Sequence, residues 1–325
     1  MWVDEYHLDG LRLDAVHAIV DVGPRHLTAE LTERVRRSAA PRRPVLHAES
    51  DANDPALVRP ANEGGRGFDG VWADDFHHAL HALLTGERES YYADYGRVAD
   101  LAAAFRTPFT FDGRYSPFRE KRHGAPAEDP CPGGFVVCGQ NHDQVGNRPH
   151  GDRLPPDASR LAMLCVLMSP WTPLVFMGEE YGERRPFQFF TDHIDPRIAE
   201  ATREGRRREH AHDPGGGDVP DPQDPATFAR STLDREAGDP DTLRLFTELV
   251  RVRRTLPPGP ADDATADDAN GTLRVRRGAV EVHACFAREA RTATTATSRV
   301  LAQTGGVTLE DGRVHLPAMS GAVLA

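Results

Sequence analysis

The chain has 325 residues, a formal charge of −11 and 39 % hydrophobic residues. That is apolar material for one large domain plus a small one, or for two ordinary domains. A net acidic chain without a Lys/Arg cluster argues against nucleic acid or an anionic membrane as partner, and no apolar run reaches the ~18 residues of a membrane span. Residues 1–6 lack the basic and apolar regions of a signal peptide. Cys131, Cys138, Cys165 and Cys285 show no metal-ligand spacing, so buried free thiols in a reducing cytoplasm are expected.

In chain order, residues 8–13 predict a short strand from which 14–19 turn away. Residues 27–38 have helical spacing with alternating charge, broken by Pro41 and Pro44. Residues 44–49 and 70–72 predict two further strands, the second leading into a helix over 74–84 that stops at Gly86. Residues 135–138 predict a strand, 159–168 an apolar helix ended near Pro170, and 173–178 a last core strand followed by Glu179 and Glu180. Residues 203–226, polar and rich in Pro, Gly and Asp, predict a surface excursion, with 203–209 solvated. An amphipathic helix is predicted over 242–254, carrying Leu243, Phe246, Leu249 and Val250 on one face, and 257–271 reads as a linker. From Thr272 the apolar period becomes two (Leu273, Val275; Val280, Val282; Val314, Leu316), which predicts a small antiparallel β domain over 272–325.

Strand alternating with helix, followed by short strands, gives an α/β fold: a partial (β/α)8 TIM barrel over 1–256, then an antiparallel β-sandwich. About five βα units can be counted where a closed barrel needs eight, so roughly three units are expected to be absent on the N-terminal side.

Three carboxylates carry the chemistry. Asp14, Glu49 and Asp143 each follow a short apolar run, at intervals of 35 and 94 residues. A strand with its return helix takes about 30 residues or more, so the first interval is one βα unit and the second is two or more. Strand ends of such units open into one mouth, an arrangement suited to cutting a glycosidic bond between two carboxyl groups. Arg12, two residues before Asp14, leaves the strand on the same face and favours the charged carboxylate that a nucleophile requires; taken alone, such a pair is more often structural. Glu49 closes an apolar strand, a setting that suits a general acid, although alone it is an ordinary strand-end residue. Asn141, His142 and Asp143 set a donor, an imidazole and an acid side by side, and no nearby His or Cys has the spacing of a metal site.

Taken together, the segments 9–15 (DGLRLDA), 47–51 (HAESD) and 140–144 (QNHDQ) resemble, in order and spacing, the strand-4, strand-5 and strand-7 motifs of the α-amylase family of glycoside hydrolases (family 13). The resemblance implies that the chain covers about strands 4 to 8 of the barrel. It implies Asp14 as nucleophile, Glu49 as general acid/base and Asp143 as the carboxylate that stabilises the distorted sugar. Arg12 would orient Asp14, and His142 would bond sugar hydroxyls. The wording of 5–19, 72–81, 140–148, 176–190 and 221–228 is similar to one branch of the family, which cuts the α-1,4 bond beside the terminal trehalose of maltooligosyl-trehalose. Maltooligosyl-trehalose or a related α-glucan is therefore the implied substrate. His17, where many amylases carry Lys, is implied to contact the sugar on the leaving side, with a surface His equally open. Asp75 is expected to touch ligand, whereas Trp72, Phe76 and His77 either shape a trehalose subsite or belong to the core. Of Glu179 and Glu180, one is expected to bind sugar and the other to pair with an Arg. No cofactor and no metal are implied.

The family's strand-3 motif, Asp-x-x-x-x-Asn-His, has no counterpart, since Asn141-His142 already serves the later motif. Misplacing a catalytic group by ~1 Å can lose about 10²-fold in rate, so the chain alone is expected to be poorly soluble or inactive. Three alternatives stay open at this point: glycosyl transfer by a branching enzyme, a non-catalytic remnant that binds glucan, and a metal-dependent hydrolase.

Overall fold

Runs of three or four apolar residues are long enough for a strand buried on both faces but too short for a helix, and residues 70–72 and 135–138 are used that way. A computed structural model describes residues 1–127, 132–211 and 218–325; Cys131 and the middle of the predicted excursion lie outside them. The strands are β1 (Gly10–Leu13), β2 (Val45–Ala48), β3 (Gly70–Trp72), a two-stranded hairpin of β4 (Tyr115–Ser116) and β5 (Lys121–Arg122), β6 (Phe135–Cys138) and β7 (Thr172–Leu174). Five of them form one sheet in the order β1-β2-β3-β6-β7, every pairing parallel. Parallel neighbours need long crossovers: α1 (Leu27–Ala39) joins β1 to β2, two single helical turns at Pro55–Leu57 and Ala61–Glu63 join β2 to β3, α2 (Asp74–Thr85) and α3 (Val98–Arg106) lie between β3 and β6, and α4 (His142–Gly146) and α5 (Pro156–Met168) between β6 and β7. Leu46, Val71, Phe135 and Val137 are buried in the sheet, and α2 buries Phe76, Ala79, Leu80, Ala82 and Leu84.

The final core strand ends sooner than its sequence suggests. It stops at Leu174, and residues 175–178 bend into a single helical turn at Glu179–Tyr181. The expected excursion is shorter as well. Its first part belongs to α6 (Pro196–Glu209), where Arg206 is buried and not solvated, and its end enters α7 (Pro225–Arg230). The amphipathic helix is α8 (Pro240–Arg253). The three last helices share one start signal: Asp195, Asp224 and Asp239 each accept a hydrogen bond from the N–H two residues on, at 2.8, 2.8 and 3.0 Å. In each case Pro follows at the first helical position, where its missing N–H costs nothing.

The remaining strands are β8 (Asp263–Asp267), β9 (Thr272–Arg277), β10 (Val280–Cys285), β11 (Arg291–Thr294), β12 (Val300–Gln303), β13 (Thr308–Glu310), β14 (Arg313–Leu316) and β15 (Ser320–Leu324). They form an antiparallel sheet β12-β15-β10-β9-β8 and a smaller one, β11-β14-β13. The stretch read as linker thus contains the edge strand β8. Its alternate residues Ala264 and Ala266 face α3 despite the Asp-rich composition that suggested a tether.

Period-two alternation splits β15 between two interiors. Ala322 and Leu324 pack with Val314 and Leu316 between the antiparallel sheets, whereas Val323 joins the large core with Leu161, Leu164 and Leu249. Gly321 lies so close to α5 that a Cβ there would stand 2.9 Å from Leu161 Cδ1 and 3.0 Å from the His283 carbonyl oxygen. Two arginines complete the junction. Arg253 donates to the carbonyls of Leu167 and Ser169 at 2.6 and 2.7 Å, and Arg277 to those of Ser169 and Pro257 at 2.9 and 2.8 Å. These groups satisfy backbone oxygens that the end of α5 leaves without partners.

Candidate active site

The C-terminal ends of β1, β2, β3 and β6 surround a cavity of about 970 Å³. Arg12 leaves β1 toward it and Asp14 follows one residue past the strand, so their side chains share a face. The Arg12 guanidinium meets three carboxylates from three different elements: Asp14 at 2.7 Å, Asp143 at 3.7 Å and Glu49 at 3.8 Å. Trp72, buried at the end of β3, supports the cation from one side, with the guanidinium carbon 4.4 Å from its ring centre.

Local backbone fixes the first two acids. Ala15 adopts a left-handed conformation at φ 44° and ψ 45°, uncommon for a residue with a Cβ. The turn it makes aims its N–H at Glu49 Oε2. Glu49 N–H donates to the Leu13 carbonyl at 2.8 Å, and Val16 N–H to the Glu49 carbonyl at 3.0 Å, which ties the two strand ends together. Asn141 caps α4 by accepting from Gln144 N–H at 2.8 Å. His142 and Asp143 therefore start a helix at the cavity, with His142 Nε2 3.3 Å from Asp143 Oδ2.

His17 lies at the cavity wall, 3.6 Å from Asp51, which also faces Arg119 at 3.7 Å. Asp75 does not. It is sealed beneath the cavity, accepting from Tyr95 at 2.6 Å, Phe111 N–H at 2.7 Å and Asn53 at 2.9 Å. A carboxyl with that many protein partners is a structural anchor, so the expected ligand contact of Asp75 is corrected. Phe76 belongs to the core, and His77 is buried with its ring nitrogens on the Gly139 carbonyl and the Tyr92 hydroxyl.

Neither Glu179 nor Glu180 lines the cavity. Glu179 accepts from Gln140 and from Phe176 N–H, both at 2.8 Å, and burial pushes its carboxyl up to about 7. Glu180 accepts from Gly178 N–H at 3.0 Å.

Sequence reasoning missed three parts of the site. Asp74 and His78 both line the cavity from α2. The β4–β5 hairpin brings Phe118, Arg119 and Lys121 across from them, and it is pinned by Asp94, which accepts from Ser116 and, at 2.9 Å, from Phe118 N–H. Helical rotation, about 100° per residue, lets only one of the two adjacent acids at this helix start face the mouth, but does not say which. The hairpin left no signal, since its strands have two residues each.

No family model matches the sequence. Among curated proteins, the chain is 44 % identical over 345 residues to the malto-oligosyltrehalose trehalohydrolase of a Rhizobium species, covering all of this chain and 58 % of that protein. It is 43 % identical over 257 residues to that of Saccharolobus solfataricus, covering 78 % and 44 %, and 46 % identical over 296 residues to that of Arthrobacter ramosus, covering 86 % and 51 %. The chain belongs to the malto-oligosyltrehalose trehalohydrolase family. It spans about half the length of the family members it matches. Among solved structures, a candidate α-amylase from Salmonella typhimurium matches with a TM-score of 0.87 and 33 % identity, over all of this chain and 58 % of that one. A debranching enzyme from Nostoc punctiforme, 16 % identical with a TM-score of 0.60, shares the fold. The α/β architecture with an antiparallel β unit is thus that of the α-amylase family. Among the described residues, no group of three or more His, Cys, Asp or Glu is arranged to hold a metal ion, and no helix is long and apolar enough to cross a membrane.

Proposed function

We propose that this chain carries the catalytic groups of a retaining glycoside hydrolase that cleaves the α-1,4 bond beside the terminal trehalose of maltooligosyl-trehalose and releases trehalose. One observation carries the reading: a single guanidinium facing Asp14, Glu49 and Asp143, in a chain of this family. In it the parallel strands are strands 4 to 8 of a (β/α)8 barrel. Residues 1–256 belong to that barrel, and the β unit begins at β8 instead of residue 272.

Asp14 attacks the anomeric carbon while Glu49 gives its proton to the glycosidic oxygen, and trehalose leaves from a covalent glycosyl–Asp14 ester. Glu49, now a carboxylate, takes a proton from water as the water oxygen attacks the same carbon, which frees Asp14 and restores the acid. Arg12 orients Asp14, while Asp143 and His142 hold hydroxyls of the distorted ring. The chain's own residues supply both carboxyl groups, so the mechanism needs no cofactor. Free, buried Cys138, Cys165 and Cys285 support a reducing, cytoplasmic setting.

The test is trehalose release from maltotriosyl-trehalose, measured by chromatography. Asp14→Asn is expected to reduce release to background and Glu49→Gln to lower it by about 10²-fold or more. Release that survives Asp14→Asn would overturn the assignment. A second reading has one favouring observation, a 26 % identity over 212 residues to a 1,4-α-glucan branching enzyme of Myxococcus xanthus. It predicts branched glucan from amylose in place of trehalose.

A further inference from the structure

We propose that Gln140 is a positioning residue: its amide, gripped between Glu179 and the Leu154 N–H, sets where Asp143 stands against Arg12. The proposal deepens the hydrolase reading above and rests on it for the role of Asp143.

Asp143 is carried by α4, a helix of only five residues, His142–Gly146. One turn has too few internal hydrogen bonds to hold itself, and much of the Asp143 side chain is exposed, so little packing fixes it. Its place therefore comes from what anchors the chain just before it. There Gln140 is 3 % exposed and lies outside the cavity wall.

The anchor is a chain of three hydrogen bonds. Gln140 Nε2 donates to Glu179 Oε1 at 2.8 Å, and Gln140 Oε1 accepts from the Leu154 N–H at 2.7 Å. Glu179 Oε2 accepts in turn from the Phe176 N–H at 2.8 Å. These bonds tie the end of β6 to the residues before α5 and to the turn after β7. The Leu154 N–H can only donate, and both Glu179 oxygens face N–H groups, so the amide has one orientation. From α2, the buried His77 holds the Gly139 carbonyl through Nδ1 at 2.9 Å, while its Nε2 meets the Tyr92 hydroxyl at 3.1 Å. Gly139 itself has no slack: a Cβ there would stand 3.1 Å from Ala162 Cβ on α5 and 3.7 Å from Glu179 Oε1.

Three residues past Gln140, Asp143 Oδ2 is 3.7 Å from the Arg12 guanidinium. A shift of ~1 Å in a catalytic group can lose about 10²-fold in rate. For a carboxylate that acts on the distorted ring, the loss falls on kcat more than on KM.

The experiment exchanges the two residues in the full chain. Gln140→Glu sets two carboxyl groups face to face, and Glu179→Gln turns an NH2 group toward another N–H, so each breaks the chain of bonds. In the double variant the carboxylate at 140 accepts from the Leu154 N–H and from the amide at 179, whose oxygen accepts from the Phe176 N–H; all three bonds return. Each single variant is expected to lower kcat for trehalose release about 10²-fold with KM changed less than about 3-fold, and the double variant to regain most of the loss. Amide hydrogen exchange, read by mass spectrometry without substrate, is expected to quicken over residues 139–147 in each single variant and to return to the parent's rate in the double. Exchange that stays slow there in the single variants overturns the proposal. So does faster exchange spread over the whole chain, the mark of a merely structural role, or a loss in kcat that the double variant does not regain. A parent without Asp14-dependent release overturns the hydrolase reading, and the exchange measurement then decides the clamp alone.

Discussion

Asp74 faces the cavity while Asp75, next along the chain, is sealed beneath it by Tyr95, Asn53 and the Phe111 N–H. The two settings have a measurable consequence in pH. An unfolded chain releases the Asp74 proton near 4, whereas the native state, through burial and the charges of Glu49, Asp75, Asp51 and Asp143, holds it up to about 7. Between those values the native state binds more protons than the unfolded one, so stability falls as pH rises, by up to about 4 kcal/mol. Asp74→Asn is expected to remove that loss, with a melting temperature above the parent's at pH 8 and close to it at pH 4. Scanning calorimetry at both values decides, and a difference independent of pH would count against the assigned cause. The same pair marks where the sequence stops being legible. Asp14 and Glu49 could be placed at the cavity directly, because each follows the last residue of a strand; Asp143 lies five residues beyond β6, in α4, and only its motif pointed to it. Asp74 and Asp75 are not separable in the sequence, because a strand-to-helix turn leaves the starting angle of the helix unspecified.

At the level of elements, strands and apolar helices followed from their periodicity, and polar helices did not. Residues 196–209 have the composition of a loop, yet Asp195-Pro196 is the same start signal that opens α7 and α8. Capping chemistry, not hydrophobicity, held that information. The end of α5 illustrates the converse, a feature with no local signature. Its carbonyls are satisfied by Arg253 from α8 and Arg277 from β9, residues 84 and 108 positions beyond Ser169. Burial lowers both guanidinium groups, Arg277 to about 10, so both remain charged and donate charge-assisted bonds at neutral pH. Arg253→Ala and Arg277→Ala are each expected to destabilise the chain by about 1–3 kcal/mol. Because they share the Ser169 carbonyl, the double variant is expected to lose a different amount from the summed single losses. Urea titrations of the three variants measure this, and strict additivity would mean that the shared carbonyl does not couple them.

Over the whole molecule, the composition suggested a barrel portion tethered to an independent β domain. The core contradicts the tether: Leu161, Leu164, Leu245 and Leu249 from helices share one apolar cluster with Leu273, Val275, Val282 and Val323 from strands. Only tertiary packing reveals this, because each segment alone has the periodicity of its own element and nothing marks what it faces. A shared core predicts a single cooperative thermal transition, with calorimetric and van't Hoff enthalpies equal. Two resolved transitions would show that the β unit melts by itself.

The near-contact of Gly321 with Leu161 bears on how such proteins can be recombined. A chimera cut near residue 257 would set one parent's last strand against the other parent's α5, at a spacing with no room for a different side chain. Productive crossovers should instead carry α5 and α8 along with the sheet they support, so the unit of exchange starts well upstream of where the strands begin.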